Sequence, residues 1–327
     1  MIIWYILLLA IGFLALVKGA DIFVDGSSGL ARRFRISGLV IGLTIVSMGT
    51  SAPELAVSTI AAAQGSNEIA FSNVVGSNIF NLLAILGVCA VIKPLPVDSL
   101  ILKRDFPVSI AASVLLLICS AGKNLFSGIL GTFSMSENAG LVTRAAGIIM
   151  LTAFVVYIIF LIRNSKKEES SDGNEKMPLW KSILMILIGL ALTVAGAQAV
   201  VFGAKKLALL GGMTETFIGV TIVAAGTSLP ELVTSIVAAK KGETALAVGN
   251  VLGSNIFNLL FILGISAVIH PLSVNAASVY DLILLIVFSA AGYLFSITKR
   301  RIGRIEGVVM LGLYVGDVIY AMNIQGR

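Results

Sequence analysis

Glu54 and Glu231 each stand inside an apolar stretch of this 327-residue chain, and each ends a Gly-Thr-Ser-x-Pro-Glu run (Gly49–Glu54 and Gly226–Glu231). A carboxylate at the centre of a membrane helix costs about 2.5–3.5 kcal/mol, so the pair costs about 5–7 kcal/mol unless a cation or proton compensates it. Hydroxyls of Thr50, Ser51, Thr227 and Ser228 lie one turn before the acids. Ser77 and Asn81 are four residues apart, as are Ser254 and Asn258, so each pair shares one helix face. All of these side chains offer oxygen, and none offers the nitrogen or sulfur typical of zinc or copper sites. Such a set suits hard cations such as Ca²⁺ and Na⁺.

Pro53 and Pro230 remove a helix N–H and deprive the Gly49 and Gly226 carbonyls of their usual partner. A broken helix is expected at each, with carbonyls that include those of Ser47 and Ala224 turned inward. Irregular backbone at that depth persists only where it lines a cavity or is buried in protein. Three structural accounts compete: a carboxylate paired with a base (Lys18 is the main intramembrane candidate), a simple proline kink, and serines at 77 and 254 that only allow close packing. Gly76, Gly87, Gly253 and Gly264 are read as packing positions.

The elements that must position these residues follow from composition. Hydrophobic residues make up 57% of the chain and charged residues 12%, about half the share usual in soluble domains. Ten apolar segments can be counted, near 2–26, 37–62, 69–92, 105–121, 142–162, 179–204, 214–239, 246–269, 279–297 and 303–322. The fold class is therefore all-α, a polytopic membrane protein of ten transmembrane helices. The N-terminus lacks a basic leader and reads as the first span rather than a signal peptide. A Gly- and Ser-rich piece near Lys123–Thr143 has room for a short surface helix. Cys89 and Cys119 fall in apolar segments and read as packing residues.

Residues 41–97 and 218–274 are identical at 35 of 57 positions without a gap, at an offset of 177. The chain divides into a first repeat (1–162, helices 1–5), a cytoplasmic linker (163–181) and a second repeat (182–327, helices 6–10). Five helices per copy send the second copy through the bilayer upside down. Inverted repeats with the site at their interface are the layout of secondary transporters. Of the 23 Lys and Arg residues, 17 sit in the odd-numbered connections and five in the even-numbered ones and the C-terminus. The positive-inside bias makes the odd connections cytoplasmic and both termini extracellular, in a multi-pass protein of the cell membrane. The net charge of +6 is thus explained without nucleic acid.

Gly49-Thr50-Ser51-Ala52-Pro53-Glu54 with Gly76-Ser77-Asn78-Ile79-Phe80-Asn81, and their copies at 226–231 and 253–258, resemble the two α-repeats of sodium/calcium exchangers. These belong to the calcium/cation antiporter superfamily, and the absence of a large regulatory domain resembles its prokaryotic members. The resemblance implies a mid-membrane site between segments two, three, seven and eight. Calcium would be bound by Glu54, Glu231, Thr50 and Thr227. Sodium would use Ser47, Thr50, Ser51, Glu54, Ser77, Ala224, Thr227, Ser228, Glu231 and Ser254, with the Ser47 and Ala224 carbonyls as ligands. Asn81 and Asn258 would line its middle. Several relatives carry an aspartate where Asn258 stands, so this chain lacks a third central acid, which argues against potassium co-transport.

The expected activity is exchange of sodium for calcium by alternating access, with no cofactor and no enzymatic chemistry. The expected partners are calcium and sodium ions and the lipid bilayer; the oligomeric state is open, a monomer being one reading. A proton/calcium exchanger on the same scaffold is the nearest alternative, and a cation channel comes from another class.

Overall fold

The computed structural model describes residues 2–129, 139–164, 177–213 and 224–324, leaving aside the side chains of 122–129, Ala224 and 322–324. Within these residues lie ten helical stretches: α1 (Ile2–Phe34), α2 (Gly38–Thr50, then Ala52–Ala63), α3 (Asn67–Ile92), α4 (Phe106–Ile129), α5 (Arg144–Arg163), α6 (Leu179–Leu210), α7 (Ala224–Thr227, then Leu229–Lys241), α8 (Thr244–Ile269), α9 (Ala276–Lys299) and α10 (Arg304–Ile324). Six of them (α1, α3, α5, α6, α8 and α9) are individually long and apolar enough to cross a membrane, and α2 qualifies as a bent pair. α4 runs past its expected end at 121 to Ile129. The rest of the Gly- and Ser-rich piece up to 138, linker residues 165–176 and the start of the seventh segment (214–223) lie outside the described residues.

The inversion can be read from how α1 meets α6. A Cβ added at Gly12 would lie 3.1 Å from the Gly196 carbonyl; one at Gly19 would lie 2.5 Å from Thr193 N, and one at Gly26 would lie 2.9 Å from Ile186 N. Contacts that climb α1 therefore descend α6, so the two helices run antiparallel. The reciprocal positions, 177 residues on, repeat the pattern: Gly189 against Phe23, Gly196 against Leu16 and Gly203 against Leu9. Equivalent helices that cross antiparallel through equivalent residues require a two-fold axis perpendicular to them, in the plane of the bilayer. Small residues set the approach, because lipid offers no hydrophobic drive for helices to associate and close packing must supply it.

Proline shapes the ends of α3 and α8. Lys93 precedes Pro94 and His270 precedes Pro271, and both residues turn extended (φ −147°, ψ 123° and φ −143°, ψ 127°). A residue before proline is pushed out of the helical region, which stops each helix there. Short strands follow: β1 (Leu95–Pro96), β2 (Gly140–Val142), β3 (Leu272–Val274) and β4 (Arg301–Ile302). They form two small antiparallel pairs, β1 with β4 and β2 with β3, so an all-helical reading needs only this addition.

Each pair joins one repeat to the other, and helix packing follows suit. Gly87 on α3 approaches the Gly307 carbonyl on α10, and Gly147 on α5 approaches the Gly264 carbonyl on α8. The two repeats are thus interleaved rather than placed side by side. α1 is also fastened to the end of α7. All three N–H donors of Lys241 are used on α1, at 2.7 Å from Asp21 Oδ1, 2.6 Å from Asp25 Oδ1 and 3.1 Å from the Asp21 carbonyl.

Candidate cation site

α2 bends by 50° where Thr50 ends one helix and Ala52 begins the next. Ser51 sits between them at φ −80°, ψ 11°, and its copy Ser228 adopts φ −90°, ψ 8°. Pro53 and Pro230 occupy the first turn of the new helices, where a missing N–H costs nothing. Glu54 and Glu231 fall in those same first turns. The positive end of each helix dipole therefore meets a carboxylate, a favourable arrangement in a dry setting.

Both glutamates are fully buried, as are Ser47, Thr50, Ser51, Ser228, Ser254, Asn81 and Asn258; Ser77 is nearly so. The structure joins the acids crosswise. Ser228 donates to Glu54 Oε1 and Ser51 donates to Glu231 Oε1, both at 2.8 Å. Each carboxylate is thus held by the serine next to the opposite one. Thr50 turns back on its own helix, its hydroxyl donating to the Val46 carbonyl at 3.1 Å, and Thr227 is half-buried. Ser77 adds a longer contact to Glu54 Oε1 at 3.4 Å. Among the described residues, Glu54 Oε2, Glu231 Oε2, Ser254 Oγ, Asn81 Oδ1 and Asn258 Oδ1 are buried without a hydrogen-bond partner. Unmatched buried acceptors of this kind are costly, and a cation would satisfy them.

Not every expected ligand is equally free. The Ser47 carbonyl accepts from Ser51 N at 3.0 Å and lies 3.3 Å from the Thr50 hydroxyl, so one turn of helix persists where an open carbonyl was expected. The proline deletes the bond to Gly49, not the one two residues earlier. Ala224 opens the described part of α7, and its side chain and Val223 lie outside the described residues. Gly253 packs against Leu43 and the Ser47 hydroxyl, and Gly264 against Leu151. A Cβ at Gly76 would meet no described residue within 4 Å, and Gly76 is exposed, so the packing role expected of it is not seen among the described residues. Lys18 makes no ion pair with either glutamate.

Two further sets of asparagines support the site without having been singled out as ligands. Asn73 donates to Ser58 Oγ at 2.9 Å and to the Glu54 carbonyl at 3.5 Å; Asn250 does the same to Ser235 (2.9 Å) and the Glu231 carbonyl (3.4 Å). The Thr50 hydroxyl lies 3.2 Å from Asn250 Oδ1, which ties the first repeat to the second. Asn78 and Asn255 bond to each other's backbone between α3 and α8. The signal that could have found all four is in the sequence: each recurs at the 177-residue offset.

Known proteins carry the same architecture. A family model described as sodium/calcium exchanger protein matches residues 4–163 and 181–323. The chain is 38% identical over 319 residues to the putative antiporter CaxA of Alkalimonas amylolytica, covering 94% of this chain and 95% of that one. It is 36% identical over 339 residues to the sodium/calcium exchanger MaX1 of Methanosarcina acetivorans, at 96% and 97% coverage. A solved structure of the sodium-calcium exchanger NCX_Mj, soaked with 10 mM Na⁺ and no Ca²⁺, superposes with a TM-score of 0.84 at 30% identity, covering 99% of this chain and 100% of that one. The chain therefore belongs to the sodium/calcium exchanger family, among the membrane-spanning calcium/cation antiporters.

Proposed function

We propose that this protein exchanges sodium for calcium, the two ions competing for one mid-membrane site built around Glu54 and Glu231. The observation that carries the reading is the crosswise pair of buried carboxylates, each with an oxygen left unpartnered among the described residues. Calcium takes Glu54, Glu231 and the Thr50 and Thr227 oxygens, with the Asn81 and Asn258 amide oxygens, unpartnered among the described residues, facing the middle of the site. Sodium uses the same acids with Ser77 and Ser254 further out, so entry of one ion displaces the other. Two carboxylates balance one Ca²⁺, whereas three Na⁺ would leave a net positive charge; exchange in that ratio is electrogenic. α1 and α6, in contact through glycines, slide across the site layer to alternate access. The protein works in the cell membrane with both termini outside, in keeping with its basic odd-numbered connections.

The test is ⁴⁵Ca²⁺ uptake into liposomes holding the purified protein, with and without internal sodium at fixed pH. Uptake should require the outward sodium gradient. Uptake driven as well by a proton gradient in sodium-free vesicles would overturn the sodium assignment.

Ser77 offers a finer check. Its hydroxyl is 3.4 Å from Glu54 Oε1 and nearly buried. Losing one such oxygen is worth about 0.5–1.5 kcal/mol, or roughly two- to tenfold. Ser77→Ala should raise the half-saturating sodium concentration by that factor and leave calcium within about twofold. Equal losses for both ions would remove Ser77 from the sodium set.

A further inference from the structure

Four asparagines form a hydrogen-bonded chain where α3 and α8 cross, in the order Asn81, Asn255, Asn78, Asn258. Asn78 Nδ2 donates to the Asn255 carbonyl at 3.1 Å and Asn255 Nδ2 to the Asn78 carbonyl at 3.2 Å. Asn81 Nδ2 donates to Asn255 Oδ1 at 3.2 Å, and Asn258 Nδ2 to Asn78 Oδ1 at 3.0 Å. All four side chains are buried. Both helices widen into π-helical turns that contain Asn81 and Asn258, at Phe80–Ile85 and Phe257–Ile262, again 177 residues apart. Such turns disturb the usual backbone pairing and are frequent at functional sites.

This chain of bonds admits one orientation of each amide. If the Asn255 amide turned over, its NH₂ would face the NH₂ of Asn81, and its oxygen would face the Asn78 carbonyl. Two hydrogen bonds would become a donor–donor and an acceptor–acceptor clash at full burial. The same holds for Asn78 against Asn258 and Asn255. With the nitrogen ends of Asn81 and Asn258 anchored in this way, their oxygens are the ends left over. Those oxygens are the buried, unpartnered ones. Asn81 shares its helix face with Ser77, one turn away, whose hydroxyl reaches Glu54. An amide turned the wrong way would aim a donor at a cation.

We infer that Asn78 and Asn255 are positioning residues. Each fixes, across the repeat interface, which end of the opposite repeat's inner amide is presented to the cation: Asn255 for Asn81 and Asn78 for Asn258. The inference rests on the cation site proposed above. It makes neither repeat's site self-sufficient, since each half orients the other half's ligand.

The experiment is a double-mutant cycle on the full-length protein in detergent, read by Ca²⁺ titration calorimetry and by the ion-free melting temperature. Asn255→Ala frees Asn81 to turn and should weaken Ca²⁺ binding roughly tenfold, the scale of one misplaced buried hydrogen-bonding group. In an Asn81→Asp background the side chain presents oxygen whichever way it turns. There a carboxylate oxygen would face Asn255 Oδ1, so the same Asn255→Ala change should leave affinity within about twofold or raise it. A merely structural role predicts the same loss in both backgrounds. Asn78→Ala with Asn258→Asp gives an independent second cycle.

Equal losses in the two backgrounds, no loss in the first, or failure of both alanine variants to fold would each overturn the inference. If Glu54→Gln abolishes binding while the cycles are additive, only the positioning role falls. If the unaltered protein does not bind Ca²⁺, the site reading itself falls.

Discussion

Glu54→Gln and Glu231→Gln should each yield folded protein that no longer takes up Ca²⁺. The substitution keeps shape and volume, and the amide oxygen can still accept from Ser228 or Ser51, now 2.8 Å from Oε1. It removes one of the two buried carboxylate charges that the proposed site would offer a divalent ion. Truncating one partner of a buried, hydrogen-bonded charge pair costs about 2–5 kcal/mol, roughly thirty- to five-thousand-fold in affinity. Stability moves the other way. Two carboxylates in a dry interior are a burden without cations, so the ion-free variants should melt no lower than the unaltered protein. Calcium should raise the melting temperature of the parent and leave that of the variants unchanged. Full uptake by either variant would remove the glutamates from the site.

The second large effect concerns the α1–α6 contact. A Cβ at Gly19 would lie 2.5 Å from Thr193 N, and one at Gly189 would lie 2.5 Å from Phe23 N. Both obstacles are backbone, which cannot rotate aside as a side-chain tip can, so the helices must separate. Gly19→Val and Gly189→Val should each lower stability by about 1–3 kcal/mol, the usual cost of overpacking, and abolish transport even where folded protein is recovered. Gly312→Ala on α10, with no described residue within 4 Å of the added carbon, serves as the control and should leave melting and uptake unchanged. Thermal unfolding of all three in one detergent checks the comparison. Equal behaviour of Gly19→Val and Gly312→Ala would refute the packing argument.

Much of this architecture was legible because it repeats. The ungapped 177-residue offset announced the duplication, five segments per copy announced the inversion, and the proline before each glutamate announced the bend in α2. The sequence carried less about what crosses between copies. Periodicity reports which residues share a face of one helix, and it is silent on which helix that face meets. Hence Ser51 could be placed beside Glu54 in sequence but not against Glu231 in space. Asn78 and Asn255 were visible as repeated letters, with no sign that each bonds to the other's backbone. The Ser47 carbonyl shows a different limit: a proline tells which N–H is missing, whereas the hydrogen bonds that survive around it depend on how far the chain actually bends.

The pairing of β1 with β4 and of α3 with α10 bears on how the protein is made. Leu95 leaves the ribosome long before its partner Ile302, a delay of about 10–40 s at ordinary rates of synthesis. Until α10 is synthesised, the face of α3 that Gly307 packs against lacks that partner. Maturation is therefore shared between the two repeats, since neither closes its own flank before its partner elements in the other have been made.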